Sequence, residues 1–140
     1  MIVHASCVAL GDRALLILGG SGSGKSSLAL QLMAMGCGLV SDDRTSLAVE
    51  NARLVADCPA PIRGRIEARG VGILNAEPVG PVGLVLAVDL DQPEPARLPP
   101  HRKVELLGIC LPLVLGGGRA HLAPALLQYL VAGRWDQDET

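Results

Sequence analysis

Aromatic residues are nearly absent from this chain of 140 residues, which has one Trp, one Tyr and no Phe. No aromatic platform exists on which nucleic-acid bases could stack. The core must be built from Leu, Val, Ala and Ile. A strong charge of one sign is lacking too: Lys and Arg number 12 against 14 Asp and Glu, a formal net charge of -2. General electrostatic attraction to nucleic acid is thereby excluded. No apolar run approaches the ~20 residues that span a bilayer. Residues Met1-Ile2-Val3-His4 carry no basic stretch before a long apolar region, so no signal peptide is expected and the chain is expected in the cytoplasm. Cys7, Cys37, Cys58 and Cys110 include no C-x-x-C pair and are expected to be buried, reduced thiols. Hydrophobic residues at 49% and charged ones at 19% exclude disorder. The length fits one compact domain over 1–140, and the apolar content hints at an oligomer surface.

What is present is a glycine loop. Gly19-Gly20-Ser21-Gly22-Ser23-Gly24-Lys25-Ser26 fits G-x-x-x-x-G-K-[ST] at every fixed position. Glycines permit positive φ and let backbone N–H groups turn inward around an anion. A helix N-terminus behind the loop favours negative charge. Lys25 is placed to reach β- and γ-phosphates, and the Ser26 hydroxyl to ligate Mg²⁺. The flanks agree. Ala14 to Leu18 is an apolar run suited to a buried strand. Leu28, Ala29, Leu32 and Met35 recur at helical spacing until Gly36.

Ile2 to Leu10 reads as one strand that turns at Gly11-Asp12 into Ala14 to Leu18. A hairpin leading into the glycine loop predicts a mixed sheet with considerable antiparallel pairing. Leu39-Val40 is a short strand. Ser46 to Glu50 and Arg53 to Ala56 form a hairpin around Asn51-Ala52. Cys58 to Pro61 breaks the chain. Ile66 to Gly80 has no clear period and reads as a functional loop or irregular elements. Gly83 to Val88 is a strand, and Asp89 to Pro100 an exposed Pro-rich loop. Val104 to Leu115 is one or two strands interrupted by Pro112, followed by a turn at Gly116 to Gly118. Ala123 to Ala132 is a helix capped by Gly133. His101 reads as a loop residue and His121 as helix-edge, neither with a metal partner at ligand spacing. No internal repeat is present.

Asp42-Asp43 follows an apolar strand. One carboxylate can serve Mg²⁺ directly or through water, and the other can accept a proton from an attacking hydroxyl. A DD pair alone also fits a solvated turn. The phosphate loop upstream favours the functional reading. In Ile66-Glu67-Ala68-Arg69-Gly70-Val71-Gly72-Ile73, Glu67 and Arg69 share a face if extended. That suits a metal-binding carboxylate beside a phosphate-binding guanidinium, or equally an exposed ion pair.

At these residues the chain resembles the catalytic domain of bacterial HPr kinase/phosphorylase. Three blocks support the resemblance: His4 with the hairpin into Gly19–Ser26, Gly36 through Asp43, and Ile66 through Asn75. The last matches the family signature IE-x-RG-x-GI, and a weaker block covers Leu111 to Leu122. The resemblance implies a P-loop α/β fold similar to the nucleotide-binding part of phosphoenolpyruvate carboxykinase. It implies a minimal form without the family's N-terminal domain. The implied activity is phosphorylation of a serine on the phosphocarrier HPr with ATP and Mg²⁺, regulating sugar transport or carbon metabolism. Many members also reverse the reaction with inorganic phosphate, releasing pyrophosphate.

By position, the resemblance makes Lys25 the phosphate-loop lysine, and Ser26 and Glu67 the metal ligands. Asp43 becomes base in the kinase direction and acid in reverse, and His4 an active-site histidine. Arg97, in Ala96-Arg97-Leu98, matches a further active-site arginine. Asp42, Arg69 and Arg119 are candidates for phosphate or acceptor contact. Ser27 stands where the family usually has Glu. Gly116-Gly117-Gly118 precedes Arg119 where a basic residue, often with Pro, is usual, in a segment tied to dephosphorylation. The family's C-terminal extension is shortened, and its members form hexamers. The leading expectation is a protein serine kinase. The alternative is an ATP-binding regulatory module without phosphotransfer. A small-molecule kinase is a third possibility that no pocket motif supports.

Overall fold

A computed structural model describes residues 1–135. Its elements run β1 (Ile2–Val3), β2 (Ala5–Leu10), β3 (Arg13–Leu18), α1 (Lys25–Ala34), β4 (Gly38–Ser41), β5 (Thr45–Glu50), β6 (Arg53–Asp57), β7 (Arg65–Ala68), β8 (Gly72–Asn75), β9 (Val82–Asp89), β10 (Lys103–Leu106), β11 (Ile109–Leu115) and α2 (Leu122–Ala132). The main sheet has the order β1-β5-β6-β9-β3-β2-β4, with β11 also on β9 and β10 on β11. The expected mixture is present. β3 pairs antiparallel with β2 and parallel with β9. The free edge of β9 is shared: its start takes β6 antiparallel and its end takes β11 parallel.

Period-two alternation along β3 builds both faces of the core. Leu15 and Ile17 pack with Leu28, Leu32, Leu126 and Leu130 beneath the two helices. Ala14 and Leu16 pack on the other side with Leu47, Leu54 and Leu111. In β9 the alternation breaks, because a bulge sets Ala14 opposite Leu84 but Leu15 opposite Leu86. The extra residue sends Val85 and Leu86 to the helix side together. Helix α1 ends as Gly36 predicts. Gly36 takes φ 111°, its N–H donates to Met33 O, and Cys37 N–H donates to Leu32 O.

The single strand expected over Ile2 to Leu10 is split at His4. Its first part pairs with β5 and its second with β3 and β4, so the chain changes partners there. The irregular segment expected over Ile66 to Gly80 instead contains the β7–β8 hairpin, with Ile66 and Ala68 turned inward. Val104 to Leu115 divides at Leu107-Gly108, not at Pro112, which lies within β11 opposite Lys103. Cys110 is exposed, because it faces outward on β11, whereas the other three cysteines are buried as expected. Among the described residues no helix is long and apolar enough to cross a membrane.

Candidate active site

Strand β3 delivers the chain into the glycine loop, and α1 begins at its far end. Gly19, Gly22 and Gly24 adopt φ of 153°, 79° and 100°, which side chains disfavour. A Cβ on Gly19 would collide with the Ser23 side chain, so the loop closes only around glycine. Lys25 is buried, and its Nζ donates to Gly20 O at 3.0 Å. The cation thus lies folded over the loop, positioned to serve an anion there.

Strand β4 brings the two acids beside the loop, and they occupy different environments. Asp42 is buried and receives Ser26 Oγ at 2.6 Å, Ser6 Oγ at 2.9 Å and the Glu67 N–H at 3.0 Å. One carboxylate therefore ties the phosphate loop, β2 and β7 together. Asp43 is exposed, with its Oδ1 2.6 Å from His4 Nε2. Its backbone N–H donates to Ser6 Oγ at 3.0 Å. Ser6, which the sequence reading missed, bridges the pair. Only the β2–β4 pairing places it there.

A cavity of about 600 Å³ gathers Lys25, Ser26, Asp43, Glu67 and Arg69 around the loop. The volume falls in the range of ligand sites. His4 reaches this cavity through Asp43. Arg97 lies exposed beyond β9 and is not among the cavity's lining residues. Arg119 lines a neighbouring depression with Ser23 and Ser27, and its Nη2 donates to Glu94 O at 2.9 Å. Asp91 is a second residue missed in the sequence. Its Oδ2 accepts the Gly20 N–H at 2.9 Å and fixes the start of the loop. The acidic Asp89-Leu90-Asp91 run at a strand end was the available signal.

The donor set fits a polyphosphate with a divalent cation. Positive-φ glycines and Lys25 suit phosphate oxygens, and Ser26 with nearby carboxylates suits Mg²⁺, which takes few protein ligands beside phosphates.

Comparison with known proteins agrees with this chemistry. The family model described as HPr Serine kinase C-terminal domain matches residues 1–83. The HPr kinase/phosphorylase of Aromatoleum aromaticum is 37% identical over 131 residues, covering 80% of this chain and 42% of that protein. That of Caldicellulosiruptor bescii is 36% identical over 125 residues, covering 80% and 40%. The chain thus spans about two fifths of the length of these curated relatives. Among solved structures, the HPr(Ser) kinase/phosphatase from Coxiella burnetii matches with a TM-score of 0.74 at 29% identity, covering 94% of this chain and 88% of that one.

Proposed function

The chain belongs to the family of the HPr serine kinase C-terminal domain, and from that premise we propose that it is an ATP- and Mg²⁺-dependent protein serine kinase acting on an HPr-type phosphocarrier. The observation that supports this most is convergence. Phosphate loop, Asp43, Glu67 and Arg69 line one cavity although they lie far apart in sequence. Residues 1–140 act in this proposal as one catalytic unit. The cytoplasm suits it, because ATP is available there and unpaired cysteines stay reduced.

The loop N–H groups and Lys25 hold the donor's phosphates, with Lys25 leaving Gly20 O for the β- and γ-phosphates. Ser26 and Glu67 would hold Mg²⁺, and Asp42 orients Ser26. When bound, the ion neutralises charge on the phosphates. The acceptor serine enters beside Asp43. Its oxygen bonds to the γ-phosphorus as the bond to the bridging oxygen breaks, and its proton passes to Asp43. His4 orients that carboxylate. Arg69 lines the cavity and meets charge developing on the transferred group.

The test is transfer of labelled phosphate from ATP to an HPr-type protein, run for the parent and for Lys25→Ala. The parent is expected to label a serine and the variant to fall to background. Equal rates overturn the assignment. Tight ATP binding by a parent that labels no acceptor favours the regulatory alternative.

A further inference from the structure

The cavity around Lys25, Asp43 and Glu67 accounts for the phosphate end of a nucleotide. A second depression, of about 180 Å³, adjoins it, and the two share Gly24 and Ser27. Ser26 and Leu30 line the first, Ser27 and Gln31 the second. The two therefore lie on adjacent faces of α1, about 100° apart.

We propose that this second depression is the nucleoside subsite and that the Arg119 guanidinium packs against the base. The proposal rests on the kinase reading, which fixes the direction of the nucleotide. The γ-phosphate belongs beside Asp43, where the acceptor proton goes. The nucleoside end must then point away from Asp43 and Glu67. The path left by the shared residues runs over Gly24 and Ser27 at the N-terminus of α1, a favourable place for an α-phosphate. It opens directly into the depression.

The walls match a nucleoside. A base has two flat faces and a polar edge. Leu90 and Leu122 offer apolar surface, Gln31 an amide, and Arg119 a planar cation. Tyr129 and Trp135 do not line the depression, so a flat contact there must come from the guanidinium. That group is held in place. Its Nη2 donates to Glu94 O, and the Glu94 carboxylate is itself clamped by Arg102 at 2.7 and 2.8 Å. Gly116 brings the chain close to this wall, since a Cβ there would strike Leu122 and Val88.

The test compares ATP with inorganic tripolyphosphate, which has the phosphates but no nucleoside, by calorimetric titration of the full chain. Arg119→Ala is expected to weaken ATP by about five- to tenfold and leave tripolyphosphate unchanged. Lys25→Ala is expected to weaken both. Equal weakening of both ligands by Arg119→Ala makes Arg119 a phosphate contact and overturns the proposal. Unchanged ATP affinity overturns it as well. Should Arg119→Ala fail to fold, Gln31→Ala is judged by the same criterion. Transfer to an HPr-type acceptor is scored separately. A parent that transfers no phosphate, with ATP-selective weakening in the variant, defeats the kinase reading and leaves the nucleoside subsite standing.

Discussion

His4 Nε2 lies 2.6 Å from Asp43 Oδ1, a contact that spans 39 residues of chain. It joins the point where β1 gives way to β2 with the second residue beyond β4. Asp43 also holds φ at 67°, a left-handed conformation unusual for a residue other than glycine. Ser6 Oγ, accepting its N–H, helps to hold it there. Such strain is concentrated at functional sites. The geometry aims one carboxylate at the cavity and leaves the other, Asp42, buried beneath it.

That division of labour makes Asp43 matter to turnover more than to affinity. A general base acts in the transition state and typically contributes about 10²–10⁴-fold. Asp43→Asn is expected to lower transfer at least about tenfold while ATP still binds. Rates at saturating ATP and a binding titration separate the two effects. Lost affinity with an undiminished maximal rate would make Asp43 a binding residue and point to Asp42 as base.

Asp42 should behave differently, as a structural tie. Removing its carboxylate strands the hydroxyls of Ser26 and Ser6 and the N–H of Glu67. Unsatisfied donors of this kind cost about 1–3 kcal/mol each when water cannot reach them, and rotation of the hydroxyls relieves part of that. Asp42→Ala is expected to lose about 2–3 kcal/mol, lowering Tm by roughly 6–12 °C. A variant that melts with the parent contradicts this tie.

The sequence was most legible where the chemistry is local. Strand, glycine loop and helix are contiguous, so Ala14 through Leu32 declared their roles by spacing alone. Asp42 and Asp43 were legible as an acidic pair, and the family resemblance gave Asp43 the role of base, but the buried, tied environment that sets Asp42 apart was not legible. The difference depends on Ser6 and His4, which reach them only through the pairing of β1 and β2 with neighbours distant in sequence. The β7–β8 hairpin escaped notice for another reason. All of β8 is exposed, including Ile73 and Leu74, so no inside–outside alternation marks it. Gly70 and Gly72, at φ of 82° and 140°, further resemble loop residues.

Acid should loosen the loop that carries Glu94. Its carboxyl is held below the usual carboxylate range, mainly by the hydrogen bond from Arg102 and, less strongly, by the Ala96 N–H, against an opposing effect of burial. A carboxyl depressed on folding stabilises fully above its unfolded pKa, near 4.3. That contribution disappears as pH falls through the lower folded value. Glu94→Gln should therefore melt below the parent at pH 7, and the gap should close as pH drops below about 4. Thermal melts at pH 7 and pH 3 check this. A gap of constant size would mean that the Arg102 pair does not govern the response.

The final prediction concerns direction. Reverse transfer requires inorganic phosphate beside a phosphoserine, and those anions repel strongly. Gly116, Gly117 and Gly118 carry no charge, and the first two already donate their N–H groups to Asp89 O and Gln92 O. Arg119 lines the neighbouring depression and is engaged with Glu94 O, so it is not arrayed around the main cavity. Lys25 and Arg69 remain to offset the repulsion there. Two unit charges at contact distance near a protein surface interact by more than the ~1.4 kcal/mol that corresponds to tenfold in rate. Phosphate-dependent pyrophosphate release from a phosphorylated acceptor is accordingly expected at least about tenfold below the forward rate. The assay incubates that acceptor with excess inorganic phosphate and scores pyrophosphate. Release as fast as forward transfer would show that Lys25 and Arg69 suffice without the missing basic side chain.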